Sequence, residues 1–167
     1  HTMGKRIAFI GGGNMASAII GGLVRQSFAA SQIDVVEPWA EARARLQADF
    51  GITAQAEAGP FLGTADLIVW AVKPQTFKEA AAAVAAHNTS ALHLSVAAGI
   101  PSHSIATWLG SERIIRTMPN TPALIGKGIT ALYARAAVTQ ADKDWANNVI
   151  ATTGATVWLT AEAQLDA

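Results

Sequence analysis

The chain has 167 residues, near the size of one domain, and its 51% hydrophobic and 14% charged content excludes global disorder and points to a large interior. Its 12 Lys+Arg balance 12 Asp+Glu, which leaves no electrostatic footprint for nucleic acid or an anionic membrane surface. Cysteine is absent, so a disulfide framework and thiolate metal sites are excluded. No apolar run reaches transmembrane length and no signal-peptide pattern opens the chain, so the expectation is a cytoplasmic protein without membrane or nucleic-acid partners. His1-Thr2 reads as an expression scar before a native Met3, and a single domain is expected over 3–160.

Lys5 to Ile10 is a short apolar run stopped by Gly11-Gly12-Gly13, which fits a buried strand better than a helix. Met15, Ala18, Ile19, Gly22 and Leu23 then recur at helical spacing to about Gln26, with Asn14 placed as the cap. Ile33-Asp34-Val35-Val36 repeats the strand signal, and Ala40 to Phe50 reads as a helix that Gly51 stops as a C-cap. Asp66 to Val72 reads as a buried strand and Ala80 to Ala86 as the helix after it. Leu92 to Val96 and Ile114-Ile115 are further strands, separated by Pro101 to Leu109, where proline suits a helix start. Gly128 to Tyr133, a capped helix from about Thr139 to Thr153, and Thr156 to Leu159 extend the sheet. Strands alternating with helices require crossover connections, hence an α/β, doubly wound and mostly parallel sheet.

Gly11-Gly12-Gly13-Asn14-Met15-Ala16 fits the G-x-G-x-x-G/A pattern, and it follows Ile10 at the junction of a predicted strand and helix. In that setting the first glycine makes the turn, the second admits the pyrophosphate, and Ala16 permits close packing of helix on strand. The domain is therefore expected to be of the Rossmann type, with the helix N-terminus facing a dinucleotide. Glu37 ends the second strand, where a carboxylate accepts hydrogen bonds from the adenosine ribose and repels a 2′-phosphate. That favours NADH; a solvated loop carboxylate is the alternative, and Arg43 or Arg45 turned inward would offset the repulsion. Ala71-Val72-Lys73-Pro74 and Ala97-Ala98-Gly99 lie at two more strand ends, where small residues let backbone approach a flat ring. Taken alone, Lys73 reads as a surface lysine. Met118-Pro119-Asn120-Thr121-Pro122 is a stiff loop in which Asn120 offers donors and acceptors. His87, His93 and His103 read as loop or strand-end residues without metal-ligand spacing, so no metal is expected, and Trp70, Trp108, Trp145 and Trp158 read as core.

Phe9 to Ala16, Ala71 to Pro74, Ala97 to Gly99 and Met118 to Ala123, in order and in register, resemble the pyrroline-5-carboxylate reductase family. The resemblance implies hydride transfer from NAD(P)H to the C=N carbon of 1-pyrroline-5-carboxylate, giving L-proline in the last step of proline biosynthesis. It implies NADPH as the usual cofactor, whereas Glu37-Pro38-Trp39 stands where many relatives place a polar or basic stretch. Some relatives also carry an Asn in the loop after the third strand, where this chain has Glu57-Ala58-Gly59. It implies, too, a following helical domain that forms the homo-oligomer and holds the substrate carboxylate, with 161–167 starting the connection to it. The 167 residues are then expected to bind cofactor without turnover, and no catalytic residue is assigned. A related reductase of the 6-phosphogluconate dehydrogenase-like group and a non-catalytic dinucleotide-binding module are the alternatives.

Overall fold

A computed structural model describes residues 5–119 and 128–166. Five parallel strands form first: β1 (Ile7–Ile10), β2 (Ile33–Val36), β3 (Leu67–Trp70), β4 (Leu92–Ser95) and β5 (Ile114–Pro119). The chain then turns back, so that β6 (Ile129–Ala134) runs antiparallel to β5 and β7 (Ala155–Trp158) parallel to β6. The sheet has seven strands in the order β2-β1-β3-β4-β5-β6-β7. The doubly wound, mostly parallel expectation is met, and α1 (Asn14–Arg25), α2 (Ala40–Phe50), α3 (Pro74–Ala85), α4 (Ser102–Leu109) and α5 (Gln140–Ala151) are the other elements of the alternation.

Each strand splits its side chains between two cores, because successive residues point to opposite faces. Ile7 and Phe9 join Ile19, Ile20, Leu46, Val149 and Ile150 on the face covered by α1, α2 and α5. Ala8 and Ile10 join Phe77, Ala81, Ile105 and Leu109 under α3 and α4. Both faces are covered, which is why the strands read as continuous apolar runs.

The register places the future site. Ile10 is level with Val36 on one side and Trp70 on the other, and Trp70 is level with Ser95. Strand order reverses between β1 and β3, and the residues just past this row share the C-terminal edge where open α/β sheets bind ligands.

Several local expectations need correction. Gly13 is the N-cap of α1, and no side chain caps the helix; Asn14 is already its first residue. His93 is no strand-end residue but sits within β4 at 1% exposure. Trp70 is fully buried as read, while Trp108, Trp145 and Trp158 are only half-buried. Glu57 to Gly59 precede β3 rather than follow it. Helix α3 begins earlier than its alanines suggest because Pro74 occupies its first turn. Thr139, by contrast, does cap α5, accepting from the Asp142 N–H.

Residues 162–166 pack back onto the sheet. Leu165 is buried, and the fully buried Arg116 of β5 pairs with Glu162 at 2.9 Å and Asp166 at 3.0 Å.

Candidate dinucleotide site

The glycine turn divides its work among its residues. Gly11 has φ +96°, and a Cβ there would meet the Ala71 carbonyl, 2.8 Å from its carbon. Its N–H donates to the Val36 carbonyl, while the Ala71 N–H donates to the Ile10 carbonyl, both at 2.8 Å. Gly11 is thus wedged between the ends of β2 and β3, where only glycine fits. A Cβ on Gly12 would lie 2.8 Å from Leu46 Cδ1 and 3.2 Å from Glu37 Cβ.

Gly13 differs: it is exposed, and a Cβ there would meet nothing within 4 Å. Nothing among the described residues demands glycine at this position. The open space lies at the start of α1, whose first turn has neither a side-chain cap nor an acidic residue. Its leading N–H groups and the positive end of the helix dipole therefore face outward, ready for an anion. Ala16 is fully buried and lets α1 sit close to the sheet, while Asn14 and Met15 are exposed at its mouth. The donor set fits a pyrophosphate.

Glu37 reaches back to this turn. Its carboxylate accepts from the Gly12 N–H at 2.9 Å and the Trp39 N–H at 2.8 Å. Two backbone donors leave lone pairs for further hydroxyl donors, since a carboxylate offers about four acceptor sites. Neither candidate arginine is turned to Glu37's carboxylate. Arg43 Nη1 donates to the carbonyls of Glu37 and Pro38 at 2.9 and 2.7 Å, and the Arg45 guanidinium lies 5.9 Å from the centroid of the Trp39 ring.

The remaining blocks reach the same edge. Ala71 and Val72 are half-buried, whereas Lys73 is the exposed N-cap of α3 and Pro74 its exposed first residue. Ala97 is buried, and Ala98 and Gly99 form an exposed turn in which Gly99 has φ +74°. Asn120, with Thr121, Pro122 and Ala123, lies outside the described residues. A groove of about 160 Å³ is lined by Met15, Val96, Thr117, Pro119, Ile150 and Thr153. It lies between the first turns of α1 and the C-terminal ends of β4 and β5. The contribution of α5 carries no local sequence signal, because only tertiary packing brings its C-terminal end here.

Behind this edge Trp70 and His93 form a buried pair. Trp70 Nε1 donates to His93 Nδ1 at 3.0 Å, and Phe77 stacks on the indole at 4.8 Å. Burial, with the Arg113 charge adding to it, pushes His93 down from 6.5 to about 4, so the ring is neutral at pH 7. Among the described residues no group of His, Asp or Glu is arranged to hold a metal ion, and no helix is long and apolar enough to cross a membrane.

Residues 6–99, from β1 through the turn after β4, match the family described as NADP oxidoreductase, coenzyme F420-dependent. The chain belongs to that family. Over 164 residues it is 44% identical to the pyrroline-5-carboxylate reductase of Pseudomonas aeruginosa, covering 97% of this chain and 60% of that protein. Its structure is similar to that of the Coxiella burnetii pyrroline-5-carboxylate reductase, with a TM-score of 0.86 and 30% identity over 97% of this chain and 61% of that one. The Plasmodium falciparum pyrroline carboxylate reductase, solved with NADP bound, shares the fold at TM-score 0.76 and 23% identity, covering 93% of this chain and 58% of that one. The resemblance carried by the short blocks is thus borne out along nearly the whole chain, and the fold is that of dinucleotide-binding reductases. The chain spans about 60% of the length of these relatives.

Proposed function

We propose that this chain is the cofactor-holding part of a pyrroline-5-carboxylate reductase, in which hydride passes from NAD(P)H to the C=N carbon of 1-pyrroline-5-carboxylate to give L-proline. The observation that carries the reading is the open space at Gly13 beside the uncapped start of α1, together with a 44% identical relative that bears this name. The nicotinamide cofactor supplies the hydride when bound. The residues of this chain bind and orient. The N–H groups opening α1 take the pyrophosphate, and the absent side chain at Gly13 lets it approach. Glu37, already fixed by the Gly12 and Trp39 N–H groups, accepts from the adenosine ribose hydroxyls. Met15 and Val96 line the groove at the strand ends that would receive the nicotinamide, and Ala97, Ala98, Gly99 and the Lys73-Pro74 turn share that edge; Asn120, a further contact in this reading, lies outside the described residues. Positioning of the imine belongs to the portion of the relatives that this chain does not span. A dinucleotide-binding domain over 3–160, with 161–167 leading toward that portion, is part of the same proposal, as are a cytoplasmic location and a homo-oligomer in the longer form.

NADH rivals or exceeds NADPH in this reading, because Glu37 would face a dianionic 2′-phosphate while Arg43 and Arg45 are engaged elsewhere. The test is fluorescence titration of the purified chain with NADH and NADPH, in the parent and in Glu37→Ser, beside an assay for proline formation. Binding of NADH without turnover is expected, with the preference moving toward NADPH in the variant. Absence of binding to either cofactor overturns the reading. A parent that binds NADPH at least about tenfold more tightly, or an unmoved ratio in Glu37→Ser, overturns the role given to Glu37.

A further inference from the structure

The most exposed large hydrophobic side chain among the described residues is Trp39, at 55%. It does not hang from a loose loop. Its N–H is held by Glu37 Oε2, the Glu37 and Pro38 carbonyls are held by Arg43, and Trp39 itself is the N-cap of α2. The same Glu37 carboxylate binds the Gly12 N–H through its other oxygen, so one side chain ties the indole-bearing loop to the glycine turn. Arg45, on the next turn of α2, lies over one face of the indole.

Resting on the cofactor reading above, we propose that Trp39, with Arg45 behind it, is a stacking platform for the adenine ring of the dinucleotide. A ligand whose pyrophosphate meets the start of α1 and whose ribose meets Glu37 must carry its base onward, past the carboxylate. Trp39 follows Glu37 by two residues, at most roughly 7 Å along the chain, so the indole stays within reach of a base bonded directly to a ribose held at Glu37. A flat heteroaromatic base finds there a rigid aromatic surface whose ordering is settled before binding. The exposed indole gains cover and the base gains a stacking partner that makes no demand on its hydrogen-bonding edge. The arginine behind the ring leaves the outer face to the base and polarises the stack. Base identity is therefore read weakly, and the platform contributes equally to NADH, NADPH and ADP-ribose.

The experiment titrates the purified chain with ADP-ribose and NADH, following intrinsic fluorescence and calorimetry, in the parent, Trp39→Ala, Trp39→Phe and Arg45→Met. Stacking of this kind predicts a rise of about tenfold or more in both dissociation constants for Trp39→Ala, return to within about threefold of the parent for Trp39→Phe, and a smaller loss for Arg45→Met. The melting temperature should stay near that of the parent, since the indole is exposed. The proposal is overturned if Trp39→Ala binds ADP-ribose within about twofold of the parent, or if Trp39→Phe is as weak as Trp39→Ala. It is also overturned if Trp39→Ala alters only self-association by light scattering, which would make the indole a protein contact. A parent that binds neither ligand overturns the cofactor reading instead, so the two failures are distinct.

Discussion

Acidification should weaken this domain through His93. The ring sits in β4 and accepts the Trp70 Nε1–H bond, which only a neutral Nδ1 can do. Its folded pKa is about 4 against 6.5 for the free side chain. Between those values the unfolded chain takes up a proton that the folded chain refuses, so stability is fully present above pH 6.5, falls as pH drops, and levels off below 4. A difference of some two and a half units corresponds to roughly 3 kcal/mol, a substantial part of the ~5–15 kcal/mol typical of a domain. Urea unfolding of the parent and of His93→Gln across this range isolates the effect, because the amide oxygen can still accept from Trp70 and does not titrate. Carboxylates that titrate in the same interval are shared by both proteins and cancel in the difference. The gap between parent and variant should therefore shift by roughly 3 kcal/mol in the variant's favour from neutral pH to pH 4. Parallel stability curves, differing in slope by less than about 0.5 kcal/mol over that range, would refute the buried neutral histidine.

The glycine turn should separate folding from binding. Gly11→Ala forces a Cβ onto the Ala71 carbonyl at φ +96° and should cost about 1–3 kcal/mol by thermal denaturation, whereas Gly13→Val should melt near the parent yet lose NADH binding by fluorescence titration. A Gly13→Val variant of unchanged affinity would remove the pyrophosphate from this turn. Gly22 is where α1 meets α5: a Cβ there would lie 2.5 Å from Thr152 Cβ, so Gly22→Ala should destabilise by about 1–3 kcal/mol, and adding Thr152→Gly should recover much of the loss.

The alternation of elements was legible because each apolar run here is short and stops abruptly at Gly, Pro or a charged helix start. Ile33 to Val36 and Ala40 to Phe50 match the observed β2 and α2 end for end. Burial of polar residues was not legible, since it depends on what lies opposite. His93 looks peripheral in a run of Leu-His-Leu-Ser, yet β3 and β5 flank it and Trp70 supplies its hydrogen bond. Arg116, just past the Ile114-Ile115 run, is enclosed by the antiparallel return of β6 and the docking of Glu162 and Asp166, contacts that no local pattern announces. Trp39 was visible as an aromatic before a helix, but its presentation depends on Glu37 and Arg43, whose hydrogen bonds are tertiary facts.

On the proposed cofactor reading, the cap of α1 follows the ligand rather than the local preference of Asn14. Asparagine favours the N-cap because its side chain satisfies a helix N–H, and at the start of α1 that preference would place an oxygen where an incoming phosphate needs the same donors. The chain instead puts Gly13 at the cap and moves Asn14 into the helix, leaving the first turn without a side-chain acceptor. The neighbouring glycines sharpen the point. Gly11 is required by the Ala71 carbonyl and its φ of +96°, whether or not the turn binds anything, while a Cβ on Gly12 would crowd Leu46, Val35 and Glu37 and ask them to shift. Gly13 touches none of its own protein in this way. Packing alone therefore accounts for Gly11, and Gly13, with the uncapped helix behind it, is the position where the proposed pyrophosphate contact rather than packing would explain a glycine.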